Sequence, residues 1–124
     1  MKNGDGESEV PPLAERRPVA RKRVLFGGVT VHGLRRNVVH CQVRDISDTG
    51  ARITLSRRET IPQQLYLIII RDQLAYAARV AWRKDDEAGL AFAQAIDLRA
   101  PPDPAFAHLF RIWEQQKTDY LSWR

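Results

Sequence analysis

Several features that mark common classes of protein are scarce in this chain of 124 residues. It has one cysteine, Cys41, so no disulfide can form within the chain and the usual cysteine-rich zinc sites are excluded. Its longest strongly apolar run, from Leu65 to Ile70, is too short to span a bilayer. The first residues are polar and lack an apolar stretch, so we expect no signal peptide and a cytoplasmic location.

Catalytic signatures are also missing. The three histidines are scattered along the chain, and no nucleophile elbow, phosphate-binding glycine loop or paired-histidine metal motif is present. We therefore predict that the protein is not an enzyme and that it uses no cofactor or metal ion. Cys41 falls on the apolar side of a predicted strand, and we interpret it as a small core residue rather than a nucleophile.

Positive charge is present, but it is concentrated in one short segment. The formal net charge is +5, and residues 16–23 (RRPVARKR) hold five cations and no acid. The rest of the chain carries equal numbers of basic and acidic residues. A protein that coats nucleic acid usually spreads its cations over a face, whereas a compact arginine cluster suits a small anion.

Between residues 24 and 93 the sequence predicts six short strands separated by turn residues. Val39, Cys41 and Val43 alternate with polar residues, and the apolar residues of 51–55 alternate with polar ones in the same way, which indicates two strands that each have one buried face. The same alternation from Leu74 onward places Trp82 in the core. Regularly spaced short strands with turns between them favour a small antiparallel barrel or sandwich.

The C-terminal segment has a helical pattern instead. Asp103 is a candidate N-cap, and Pro104 suits the first helical position. Aromatic and aliphatic residues then recur at helical spacing, at Phe106, Leu109, Phe110 and Trp113. The strand at 65–70 is apolar on both faces, so we expect this amphipathic helix to cover its outer side.

Two short motifs stand out from this background. Arg17 and Arg21 form an Arg-x-x-x-Arg pair that Arg16 precedes, and residues 45–50 read Asp-x-Ser-x-x-Gly. Taken singly, the first is explained by solvated surface charge. The second is a natural turn, since Asp and Ser bond nearby amides and Gly can take a positive φ.

Taken together, the two motifs resemble those of a PilZ domain. The resemblance covers roughly residues 15–95 and extends to a third mark, Gly-x-x-Phe at 89–92. It implies a six-stranded antiparallel β-barrel at 16–98. Residues 1–15 are polar and acidic and contain glycines and prolines, so we expect a disordered tail there, and we expect the C-terminal α-helix within 99–124. The resemblance further implies a flexible N-terminal arginine loop that closes over cyclic di-GMP. The residues implied to bind the ligand are Arg16, Arg17, Arg21, Asp45, Ser47 and Gly50.

The chemistry of these residues suits that ligand. Guanidinium groups pair with phosphate oxygens and with guanine O6 and N7, and they stack on purines. Carboxylate and hydroxyl oxygens can accept hydrogen bonds from guanine N1–H and N2–H₂. Within the family, an arginine placed like Arg16 goes with an intercalated pair of ligand molecules, so one molecule or a pair is expected. Pro18 stiffens the loop and restricts Arg17 to extended conformations.

Two alternatives to a cyclic di-GMP receptor remain open at this point. One is a PilZ-like interaction module that no longer binds nucleotide, and the other is a small basic barrel that binds RNA or single-stranded DNA. Aromatic residues make up 8% of the chain, and those we can place fall on inward faces or on the helix, so nucleic acid is the less favoured partner. With no output domain evident, the signal is expected to pass to an unidentified partner protein without membrane insertion.

Overall fold

The computed structural model of the protein describes residues 22–100 and 103–122, with side chains up to residue 118. Within these ranges, the predicted set of six antiparallel strands and one C-terminal helix is confirmed. The arginine loop and the N-terminal tail lie outside the described residues. The strands are β1 (Lys22–His32), β2 (Asn37–Ile46), β3 (Gly50–Thr54), β4 (Gln64–Ile69), β5 (Leu74–Lys84) and β6 (Glu87–Asp97).

The six strands form a closed ring. Each strand pairs in antiparallel fashion with two neighbours, in the order β1-β2-β3-β6-β5-β4 and back to β1. Closure matters physically because it leaves no strand edge with a full row of unpaired backbone groups. No helix among the described residues is long and apolar enough to cross a membrane.

The interior of the ring is filled by alternate residues of the strands, as predicted for β2 and β3. Val43, Ala51 and Ile53 are fully buried there, and Val39 and Cys41 are nearly so. Phe92 and Tyr76 stack face to face at the edge of this inner cluster, with ring centroids 3.9 Å apart. The two-residue period of these strands therefore sorts apolar side chains inward and polar ones outward.

β4 contributes to two cores at once, which confirms the predicted role of the helix. Leu67 belongs to the inner cluster, whereas Ile68 and Ile70 lie on the outside against Leu109 and Trp113. Trp113 Nε1 also donates a hydrogen bond to the Ile70 carbonyl oxygen at 2.9 Å. Because an apolar strand face left in water would be unfavourable, the helix is needed for the outer side of β4.

The start of the helix follows the predicted capping pattern. Asp103 Oδ1 accepts a hydrogen bond from the Ala105 amide at 2.9 Å, and Pro104 begins a single 3₁₀ turn that ends at Phe106. The α-helix α1 then runs over Ala107–Ser122. The cap satisfies an amide that has no partner within the helix.

Two of the single-residue bulges in the ring determine where Asp45 and Trp82 point. In β2, Val43 pairs with Ile53 but Asp45 pairs with Arg52, so Arg44 is the extra residue. In β5, an extra residue at Ala81 lies between the pairs of Val80 and Trp82. Each extra residue reverses the side to which the following side chain points.

The β5 bulge overturns the prediction that Trp82 is a core residue. The indole lies on the outer face of the ring and is 42% exposed. The sequence Gly27-Gly28 indicates either a bulge or a close backbone approach in β1. The register shift lies between Arg23 and Phe26, while a methyl group at Gly28 would lie 3.0 Å from the Ile68 carbonyl oxygen, so Gly28 marks a close backbone approach.

The outer core gives a direct test of the helix contact. Leu109→Ala removes a fully buried side chain between α1 and β4, so we expect the free energy of unfolding to fall by about 2–5 kcal/mol in a urea titration. Leu34→Ala is the matched control, because Leu34 is fully exposed in the β1–β2 turn. Equal small losses for the two variants would contradict the packing of α1 on the ring.

Candidate functional site

A row of residues crosses the outer face of four neighbouring strands and continues onto β1. Directly paired positions link Arg23 to Asp45, Asp45 to Arg52, Arg52 to Gly89, and Gly89 to Trp82. We call these five residues the transverse row. Opposed residues of an antiparallel pair lie on the same face, so the row brings a carboxylate, arginines and an indole to one surface.

An ion pair fixes the centre of the transverse row. Arg52 Nε donates to Asp45 Oδ2 at 2.9 Å, and Arg52 Nη1 donates to Glu87 Oε2 at 3.1 Å. The hydrogen bond that Arg52 donates to Asp45, more than any other contact, raises the pKa of Arg52 above its ordinary value. The guanidinium therefore stays charged and holds the nearly buried carboxylate of Asp45 in one orientation.

This geometry corrects one interpretation of the sequence. From sequence, Arg23, Arg44 and Arg52 are candidates for additional ligand contacts, but solvated surface charge is the simpler interpretation. The structure instead shows Arg52 half-buried between two carboxylates, one of them 35 positions away in sequence. Glu87, taken from sequence as part of a solvated turn, begins β6 and completes this network. No local sequence pattern indicates the Arg52–Glu87 pair, because the two residues lie on strands that become neighbours only when the ring closes.

The second motif is a turn that joins β2 to β3. The Ser47 amide donates to the Gly50 carbonyl oxygen at 2.9 Å, and Ser47 Oγ accepts from the Thr49 amide at 3.2 Å. Gly50 has an ordinary negative φ, contrary to the expectation of a left-handed glycine. Its missing side chain is explained by proximity, since a methyl group there would collide with the Leu90 carbonyl oxygen.

Trp82 forms the far end of the transverse row. A methyl group at Gly89 would collide with Trp82 Nε1, which shows that the indole lies directly on the glycine backbone. The indole is 42% exposed, and a flat, exposed indole suits stacking against a planar ligand. The sequence does not predict this exposed position of Trp82, because no residue pattern indicates the bulge at Ala81.

A cavity of about 470 Å³ opens beside the second motif at this end of the ring. Its lining includes Lys22, Ser47, Asp48 and Tyr76, so it lies between the start of β1 and the β2–β3 turn. Burial, followed by the charges of Asp72 and Asp48, raises the pKa of the Tyr76 hydroxyl above its ordinary value. The neutral hydroxyl is therefore available as a hydrogen-bond donor at neutral pH.

The predicted binding residues are only partly described. Asp45, Ser47 and Gly50 lie together at one end of the ring, within a single strand end and turn. Arg16, Arg17 and Arg21 lie outside the described residues. The chain enters β1 next to the site, however, because Lys22 pairs with Ile46 and Arg23 pairs with Asp45.

The described residues offer little for catalysis. Burial raises the pKa of the Cys41 thiol to about 12, so it remains protonated at neutral pH. No group of three or more His, Cys, Asp or Glu side chains is placed to hold a metal ion in the part of the chain that the structure describes. What the outer face does offer is a set of hydrogen-bonding groups and a flat aromatic surface.

Such a ring, with its polar groups fixed on one outer face, defines a small all-β binding module. A comparison with protein families supports this class, since the sequence model of the PilZ domain matches residues 15–107. The chain therefore belongs to the PilZ domain family, whose members are in general binding modules and receptors for cyclic di-GMP. A search of curated proteins found no significant match.

Gly89 and Trp82 allow a test of the row by a double-mutant cycle. Gly89→Ala places a methyl group where the indole lies, so we expect the free energy of unfolding to fall by about 1–3 kcal/mol. In a Trp82→Ala background the same substitution should have almost no effect, because the collision is gone. Equal losses in both backgrounds, measured by urea unfolding, would show that the indole does not lie on Gly89.

Proposed function

We propose that this protein binds cyclic di-GMP on the transverse row and that the arginine segment before β1 closes over the ligand. The observation that carries the proposal is the position of the first residues of β1. Lys22, which directly follows Arg21, pairs with Ile46, and Arg23 pairs with Asp45. The two motifs are far apart in sequence. The strand that directly follows the first motif, β1, nevertheless begins beside the second motif.

The length of the segment suits this closure. Arg17 precedes Lys22, the first paired residue of β1, by five positions, and an extended chain covers at most about 3.6 Å per residue, so the Arg17 backbone can lie about 18 Å away. Strands are spaced about 4.8 Å apart, so the row from β1 to β5 measures about 19 Å along the curved sheet. An arm that starts at Lys22 can therefore cross most of the row, and an arginine side chain at its end can approach Trp82.

The groups on the row and in the adjacent β2–β3 turn complement guanine and phosphate. Asp45 and Ser47 present acceptor oxygens for guanine N1–H and N2–H₂, and Trp82 presents a face for stacking. The arm would add guanidinium forks for the two phosphodiesters and for guanine O6 and N7. Arg52 has a different role in this scheme, because its ion pair holds Asp45 in position.

Signal output follows from the same geometry. Closure of the arm over the row would cover the exposed indole and create a new surface made of the arm, the ligand and the ring. An unidentified partner protein would recognise this surface. We expect this to take place in the cytoplasm, where a single buried thiol such as Cys41 stays reduced. Arg16, directly before the motif, favours an intercalated pair of ligand molecules over one, and the molar ratio in a calorimetric titration distinguishes the two.

Calorimetry with cyclic di-GMP tests the acceptor side of the site. Ser47→Ala and Asp45→Asn should each weaken binding at least about tenfold, because each removes a hydrogen bond to a charged or strongly polar group. Glu114→Gln is the control, since Glu114 is exposed on α1, away from the row and from the cavity beside the second motif, and its loss should leave affinity unchanged. A wild-type protein that gives no heat and no saturable binding would contradict the proposal.

The arginine arm is tested separately by comparing charge with shape. Arg21→Lys keeps the charge but loses the planar fork, so we expect an affinity between those of the wild type and Arg21→Ala, which should bind at least about tenfold more weakly. Arg58→Ala removes an exposed arginine from the β3–β4 connection and serves as the matched control. Equal affinities for Arg21→Ala and Arg58→Ala would show that the arm does not contact the ligand.

A further inference from the structure

A second cavity lies away from the transverse row, where β1, β4, β5 and β6 meet the start of α1. Its volume is about 490 Å³, which is within the usual range for small-molecule pockets. It shares no lining residue with the transverse row. We call it the helix-end pocket, and its polar lining residues are His32, Arg36, Gln64, Tyr66, Arg79 and His108.

The charge of the helix-end pocket is of one sign. Two arginines and two histidines line it, and no aspartate or glutamate does. The guanidinium groups of Arg36 and Arg79 take part in no ion pair or side-chain hydrogen bond with any other described residue. Burial, and then the charges of Arg36 and Arg111, lower the pKa of His108 below its ordinary value. Two uncompensated cations at the rim of one concave site create a positive potential that favours an anion.

Two further observations at the helix-end pocket indicate a ligand site. His32 Nε2 is buried and has no hydrogen-bond partner among the described residues, which is uncommon for a buried polar atom. Arg36 has a positive φ of 53°, a backbone conformation in which arginine is uncommon. The turn that imposes it is closed by a hydrogen bond from the Arg36 amide to the Gly33 carbonyl oxygen at 3.0 Å. Backbone strain of this kind is often retained where it positions a functional side chain.

The rest of the helix-end pocket is apolar and aromatic. The rings of Tyr66 and His108 pack edge to face, with centroids 5.9 Å apart. Val31, Leu65 and Ala77 provide aliphatic lining. A fully hydrated inorganic ion would gain little from these walls, whereas a ligand with an apolar or planar body would bury surface against them.

We propose that the helix-end pocket binds a small organic anion, with one phosphate or carboxylate group held by Arg36 and Arg79 and a planar or aliphatic body against Tyr66. This ligand is distinct from cyclic di-GMP, and the two sites use different residues on the same ring. The proposal therefore does not depend on the proposed function.

Titration of the ¹⁵N-labelled full chain with phenyl phosphate, and separately with benzoate, tests the pocket by nuclear magnetic resonance. We expect saturable shifts of the Gly33, Tyr66, Ala77 and Ala93 amides with at least one probe. Arg36→Gln with Arg79→Gln should weaken binding at least about tenfold, whereas Arg57→Gln with Arg58→Gln should leave it unchanged. The two probes distinguish a phosphate ligand from a carboxylate ligand.

Three results would overturn the proposal. They are the absence of saturable shifts up to millimolar concentrations of both probes, an equal loss of affinity in the two double variants, and displacement of the bound probe by cyclic di-GMP. Failure of cyclic di-GMP itself to bind would contradict the proposed function alone. The two hypotheses therefore fail by different measurements.

Discussion

The direction in which Asp45 and Trp82 point depends on two extra residues, Arg44 in β2 and Ala81 in β5. Strict alternation would place Asp45 in the same inward row as Val43, where an unpaired carboxylate would be strongly destabilising. The extra residue at Arg44 brings Asp45 outward to Arg52, and the one at Ala81 brings Trp82 outward to Gly89. The positions of Asp45 and Trp82 in the transverse row therefore follow from local departures from the β period.

Arg52 connects this local geometry to the stability of the ring. It is an outward residue between two inward ones, Ala51 and Ile53, and its guanidinium reaches carboxylates of both neighbouring strands. The residues that would orient a ligand acceptor thus also link β2, β3 and β6. A site built in this way is held before any ligand arrives, which reduces the conformational entropy lost on binding.

The sequence predicted the features that depend on regular periods and local caps. Alternation in β2 and β3, the two apolar faces of residues 65–70 and the Asp103 cap are all readable over a few neighbouring positions. Trp82 was predicted wrongly because strict alternation was assumed up to that residue. The bulge at Ala81 reverses the direction of the side chain, and no residue type in the sequence indicates the bulge. The Arg52–Glu87 pair was missed for a different reason, since its partners meet only when the ring closes. The helix-end pocket likewise draws its residues from four strands and a helix.

The two halves of β1 differ in how firmly the ring holds them. From Gly28 to Val31 the strand pairs on both sides, with β2 and with β4. Nearer its start it pairs only with β2, and the register shift leaves Leu25 unpaired and largely exposed. Fewer hydrogen bonds and contacts hold this part, so it opens at lower free energy than the rest of the ring. Under the proposed function, closure of the segment before β1 would therefore be absorbed there, and a ligand-dependent change of surface would stay confined to the entry of β1 while the ring keeps its shape.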